Sequence, residues 1–94
     1  MTIDDIRKIF SEADEVNCND ELVISWGTGD GRLWVSLDVD SRDILLNEVS
    51  IEKARIGFGN RLYVVGSNGE EYEFSFWKSE PMNLRNILII LRTR

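Results

Sequence analysis

Between Leu22 and Trp77 the apolar residues alternate with polar ones, and three tight-turn signals punctuate the stretch: Gly29-Asp30-Gly31, Gly59-Asn60 and Asn68-Gly69. Hairpin turns need positive φ, which Gly, Asn and Asp tolerate, and the loop length sets which residues face each other. With Asp30-Gly31 as a two-residue loop, Leu22 faces Val39, Ile24 faces Leu37 and Trp26 faces Val35. With Asn68-Gly69 as the loop, Val65 faces Tyr72 and Tyr63 faces Phe74; with Gly59-Asn60, Ile56 faces Tyr63 and Ala54 faces Val65. The expected core face of the meander is therefore Ala54, Ile56, Phe58, Tyr63, Val65, Tyr72, Phe74 and Phe76. The segment from Asp40 to Val49 is ambiguous: Ile44-Leu45-Leu46 fits a short strand or one helical turn.

Both ends read as helix. Thr2 can cap, Asp5 stands at the reciprocal capping position, and Asp4 and Asp5 suit the positive end of the helix dipole. Ile3, Ile6, Phe10 and Ala13 follow at helical spacing with Ile9 beside them, and the turn formers Asn17–Asp20 end the run. After Ser79-Glu80-Pro81, Leu84, Ile87, Leu88 and Leu91 form a helical stripe. Ile89 and Ile90 add β-branching that keeps a final strand open as an alternative, with helix preferred. The expected architecture is α+β: an N-terminal helix, an antiparallel sheet of about five strands (a hairpin plus a three-stranded meander) and a C-terminal helix. At 94 residues, 1–94 is expected to be one domain.

The formal net charge of −6 is unevenly spread. All 17 carboxylates lie in 1–80, while the last fourteen residues carry Arg85, Arg92 and Arg94 and no acid. An acidic excess repels phosphate backbones and favours basic partners, so direct nucleic-acid binding is not expected. No apolar run approaches the roughly 18 residues of a membrane span, and no signal peptide is visible. A lone cysteine, Cys18, fits a reducing compartment, so a cytoplasmic location is expected.

Catalytic chemistry is poorly supplied. The chain has no histidine, which removes Ser-His-Asp triads, Cys-His dyads and the commonest metal ligand. Cys18 lies among Asn17, Asn19, Asp20 and Glu21, and acidic neighbours raise a thiol's pKa, so it reads as a bystander at a helix exit. Asp38-Val39-Asp40-Ser41-Arg42-Asp43 resembles a calcium loop but has Arg42 at the fifth position, Asp43 where glycine belongs, and Val49 at the twelfth. Gly27-Thr28-Gly29-Asp30-Gly31 precedes a strand where a phosphate loop would open a helix. No cofactor, metal or catalytic residue is expected, and a domain this small has little room for a deep cleft.

The same registers define a second face, with Val23, Ser25, Trp34, Ser36 and Asp38 in the hairpin and Lys53, Arg55, Leu62, Val64, Glu71, Glu73, Ser75 and Trp77 in the meander. Arg55 and Glu73 are placed to form a surface ion pair. Trp34 and Trp77 stand among serines and carboxylates, and tryptophan is enriched where proteins bind one another. Two readings follow. Either a helix docks here and buries both rings, as a small domain's need for core residues favours, or the face is a partner-binding surface of Trp34, Ser36, Asp38, Glu71, Glu73 and Trp77.

A short, acidic, histidine-free chain with helix, strands and helix resembles the immunity proteins of bacterial toxin–immunity pairs, including those of contact-dependent inhibition. The resemblance is one of general character over the whole chain and transfers no individual residue. It implies a cytoplasmic antitoxin of bacterial competition that binds a cognate toxin, a basic nuclease domain being the expected target. The alternatives are an assembly subunit that homodimerises through Met82–Arg92, signalled by exposure of Ile89 and Ile90, and a phage-encoded inhibitor of a host nuclease. Charge mimicry of nucleic acid is weakened by Arg32, Arg42, Lys53, Arg55 and Arg61.

Overall fold

The computed structural model describes residues 1–38, 42–80 and 82–93. In chain order these form α1 (Ile3–Glu12), β1 (Glu15–Cys18), β2 (Glu21–Gly29), β3 (Arg32–Leu37), β4 (Asp43–Leu46), α2 (Glu48–Glu52), β5 (Arg55–Gly57), β6 (Arg61–Val65), β7 (Glu71–Trp77) and α3 (Met82–Arg92). The α+β reading holds, but the sheet has seven strands in the order β4-β3-β2-β1-β7-β6-β5, with antiparallel neighbours throughout. Ile44-Leu45-Leu46 is strand, and 82–92 is helix. The pairing expected at Val39 and the middle of the calcium-like loop, 39–41, lie outside the described residues, as does Pro81.

The unexpected strand is β1. The helix ends at Glu12, ahead of the turn formers expected to end it, and Glu15–Cys18 pair with a strand far away in sequence: Val16 faces Phe76 and Cys18 faces Phe74. Asn19 and Asp20, with φ of 49° and 67°, make the two-residue turn from β1 into β2. Asn19 also extends the β7 ladder, its N–H donating to the Glu73 carbonyl and its side-chain oxygen accepting from the Glu73 N–H, both at 2.9 Å. The start of α1 forms as its residues dictate: Thr2 accepts from the Asp5 N–H and Asp5 from the Thr2 N–H.

Three of the expected registers need correction. The Asp30-Gly31 loop is right, with φ of 52° and 72°, and Trp26 faces Val35. A bulge between Val23 and Ser25 then shifts the pairing by one residue, so Val23 faces Leu37. Leu22 and Ile24, expected in the core, are exposed, and Val23 packs against the core in their place. Around Asn68-Gly69 the loop has three residues, not two: Gly66 N–H donates to the Glu70 carbonyl, and Gly69 takes a φ of 83°. Around Gly59-Asn60 the loop likewise spans Phe58–Asn60, with Gly57 facing Arg61. Both slips reverse β6: Leu62 and Val64 are buried, whereas Tyr63 and Val65 are exposed. A one-residue slip moves every side chain of a strand to the other face. Phe58, also expected inside, is in the turn and exposed, with the Arg92 guanidinium 5.1 Å from its ring centroid.

One buried cluster joins all three helices to the same side of the sheet. Ile6, Ile9 and Phe10 of α1, Ile51 of α2, and Leu84 and Leu88 of α3 meet Val16, Cys18, Leu33, Val35, Leu37, Ile44, Leu46, Leu62, Val64, Phe74 and Phe76. Phe10 is central, edge-on to Trp26, Phe74 and Phe76 at 5.2, 5.5 and 5.2 Å. The chain passes from one sheet edge to the other through α2, from Leu46 to Arg55. Six strand spacings would hold flat edges about 29 Å apart, while this connection can reach at most about 23 Å. The sheet must therefore curl around the helices, which leaves its second face on the outside.

Candidate functional site: the uncovered face of the sheet

Alternation along each strand places the outer residues. On β3 these are Arg32, Trp34 and Ser36, and on β4 Asp43 and Leu45. Leu22 and the bulged Ile24 lie on β2, Glu15 and Asn17 on β1, and Glu71, Glu73, Ser75 and Trp77 on β7. Arg61, Tyr63 and Val65 of β6 and Arg55 of β5 complete the face. The alternative in which a helix covers this face does not hold: Trp34 is 44% exposed and Trp77 57%. Leu22, Ile24, Leu45, Tyr63 and Val65 are exposed with them.

The six site residues expected from sequence all belong to this side of the sheet, with Asp38 exposed just past the end of β3. The sheet does not bring them together as one cluster. β2 and β1 lie between β3 and β7, so the Trp34 and Trp77 strands are three spacings apart, about 14 Å. Trp34 is built in by its neighbours. It faces Gly27 on one side and Leu45 on the other, and a Cβ at Gly27 would collide with the indole. The ring thus lies over the glycine while the side chain stays nearly half open. Tyr63 covers Gly57 in the same manner.

A groove of about 550 Å³ beside Asn19 is lined by Arg42, Asp43, Ile44 and Leu45 and by Asn68, Glu70, Glu71 and Tyr72, so it takes in the inward-facing Ile44 and Tyr72 as well as outer residues. A second hollow of about 300 Å³ shares Asn19, Glu71 and Tyr72 with it and continues to Arg55, Tyr63 and Glu73. Leu45, Tyr63, Val65, Asp43 and Glu70 were not foreseen as site residues. Leu45 lay in an ambiguous segment, and Tyr63 and Val65 were assigned inward by the two-residue loops. Charges on the face are partly matched. Glu73 pairs with Arg61 at 2.8 Å, not with Arg55, because the register places Tyr63 opposite both Arg55 and Glu73. Asp43 accepts from the Ser36 hydroxyl at 2.7 Å and Glu70 from the Tyr72 hydroxyl at 2.6 Å. Burial and the Glu70 hydrogen bond both raise the Tyr72 pKa.

Cys18 is not at a helix exit but wholly buried on β1. Burial pushes its thiol pKa up to about 11, opposed weakly by Arg42 and helped weakly by Glu21. A thiol held protonated in this way is a poor nucleophile. Among the described residues no three His, Cys, Asp or Glu side chains gather to hold a metal ion. No described helix is long and apolar enough to cross a membrane.

No protein-family model, curated protein or solved structure matches this chain. The functional reading therefore rests on the geometry of the uncovered face.

Proposed function

We propose that the chain is an inhibitory protein-binding module of the immunity type, which neutralises a cognate toxin by docking it on the uncovered face of the sheet. The observation that supports this most directly is the pair of half-exposed tryptophans, Trp34 and Trp77, on a face that none of the described helices covers. Seven large apolar side chains stand in the open on this face, and exposed apolar surface on that scale marks interaction sites. Glu15, Asp38, Asp43, Glu70 and Glu71 around them carry no ion pair among the described residues, so the surface suits a basic partner. A basic nuclease domain, active in a neighbouring bacterial cell's cytoplasm, fits that requirement. The chain itself would work without catalysis, by covering the toxin's active site.

The test is rescue and affinity together. Co-expression with its cognate nuclease toxin should restore growth, and Trp34→Ala or Trp77→Ala should weaken binding by about 2 kcal/mol or more in proteins that remain folded. Full binding by the folded double variant refutes this surface. A second reading, self-assembly through α3, draws on the exposure of Ile89 and Ile90. Those residues share the exposed side of the helix with Arg85, Asn86 and Arg92, so two copies would bring like charges together.

A further inference from the structure

At the β5 edge of the sheet, β5 and the last turn of α3 enclose a hollow of about 350 Å³ lined by Met1, Ala54, Arg55, Ile56, Leu91 and Arg92. Two guanidinium side chains stand in its walls and no carboxylate does. Four other hollows among the described residues each have at least two carboxylates in their walls. Arg55 and Arg92 make no ion pair among the described residues. Arg92 is held in place: it donates to the Gly57 carbonyl at 2.7 Å, and its guanidinium stands 5.1 Å from the Phe58 ring centroid. That bond leaves most of its N–H donors unspent. The strand phase adds a backbone donor. Phe76 N–H donates to the Asn60 carbonyl, so the even-numbered residues of β6 bond to β7 and the odd-numbered ones to β5. Ile56, opposite Leu62, therefore turns its N–H and C=O to the open edge, where it lines the hollow. The carbonyls at the nearby helix ends are already engaged. Thr93 donates its N–H to Ile89 and its hydroxyl to Ile89 and Ile90, and Ala54 N–H donates to Ile51.

We propose that this hollow binds a small phosphate monoester, with the phosphoryl group between Arg55 and Arg92 and the organic body against Ala54, Ile56 and Leu91. A guanidinium presents parallel N–H donors that match the oxygens of a carboxylate or a phosphate. A carboxylate is satisfied by one such fork. Two guanidinium groups, one from the edge strand and one from α3, balance the nearly two negative charges that a phosphate monoester carries near neutral pH. The volume lies at the lower end of small-ligand pockets, which suits a small molecule and not a polymer. The net charge of −6 does not oppose this. At physiological salt, charges more than about 8 Å away are largely screened, so the cations in the walls set the local sign. Glu52, the carboxylate nearest in sequence, stands in the wall of a different hollow.

Phenyl phosphate titrated into isotope-labelled protein at low salt, followed by backbone amide NMR, tests the site. Saturable shifts should be confined to residues 54–57 and 91–93, with a Kd of about 1 mM or tighter. Arg55→Gln, an exposed position on the edge strand, should weaken binding about tenfold. Arg92→Lys keeps the charge but loses the fork and should weaken it several-fold; should that variant be misfolded, Arg55→Gln decides. Arg85→Gln, on the same helix but outside the hollow, should bind as the wild type does. Affinity should rise between about pH 5 and about pH 7, because a phosphate monoester gains its second charge near a pKa of about 6. Benzoate, with the same ring and a single charge, should bind at least about fivefold more weakly. The absence of saturable shifts up to about 10 mM overturns the proposal, as do shifts spread over all exposed arginines. Wild-type affinity in Arg55→Gln, weakened binding in Arg85→Gln, or equal affinity for benzoate overturns it as well. The inference does not depend on toxin binding, since this titration needs no toxin and the Trp34→Ala and Trp77→Ala variants test that reading separately.

Discussion

The direction in which β6 faces decides which side chains are available to a partner, and Leu62 and Tyr63 test it as a pair. Leu62 is fully buried against Phe74 and Ile56 in the ladder, while Tyr63 is 40% exposed on the outer side with its ring over Gly57. Leu62→Ala removes three carbons, about 2.4 kcal/mol at roughly 0.8 per carbon, and leaves a cavity that brings the loss to about 3 kcal/mol. A domain of this size has a total stability of about 5–14 kcal/mol, so the loss is a large fraction of it. It should lower Tm by about 12–24 °C. Tyr63→Ala, in contrast, should cost about 1 kcal/mol or less, since its ring gives up only half-solvated contact. Urea unfolding of both variants, with m unchanged, measures the two losses on one scale. Equal losses, or a larger one for Tyr63→Ala, would refute the register and with it the composition of the uncovered face.

Three further outcomes follow from local chemistry. Thr2→Ala removes the acceptor for the Asp5 N–H at the start of α1 and should cost about 1 kcal/mol in denaturant unfolding; no change would mean the cap does not hold the helix. The Lys78 hydrogen bond holds the Glu12 carboxyl below its ordinary 4.5, and the Ser79 N–H and hydroxyl hold Asp14 below 3.8. A depressed folded pKa contributes stability that is present above the unfolded value and lost as pH falls through the folded one. Stability should therefore decline below about pH 4.5, and Glu12→Gln with Asp14→Asn should flatten that acid limb while lowering stability at pH 7; an unchanged limb rejects the assignment. Cys18, buried and with its pKa near 11, should react with iodoacetamide at pH 8 far more slowly than the unfolded chain does. Equal rates in the native and denatured protein would place the thiol at the surface.

Much of this molecule is legible in its sequence. Thr2 and Asp5 mark the start of α1 because a cap acts within four residues, and the stripe of Leu84, Ile87, Leu88 and Leu91 marks α3 for the same local reason. Asp30-Gly31 sets its hairpin because both residues must take positive φ. The candidate site was legible in part: Trp34, Ser36, Glu71, Glu73 and Trp77 were assigned to the outer face, and they lie there. Their assignment survived the slips around β6 because the errors at its two turns cancel for β5 and β7.

What only the tertiary structure decided lies in quantities that local sequence does not encode. Asn68-Gly69 and Gly59-Asn60 fit a two-residue loop or a three-residue loop equally well, and the choice is made by which face of β6 finds the core. Leu62 and Val64 fill the space beneath α2 with aliphatic volume, whereas Tyr63 at the same place would bury a phenol hydroxyl. The bulge at Ile24 arises where β2 must serve both β1 and β3. β1 exists because Phe74 and Phe76, some sixty residues away, offer it a ladder and an apolar face. By itself, the sequence determined the caps, the turns and the absence of histidine, all of which act over a few residues. Whether Trp34 and Trp77 would be buried or left open was decided by packing: the three described helices share one face of a curled sheet, and none of them covers the other.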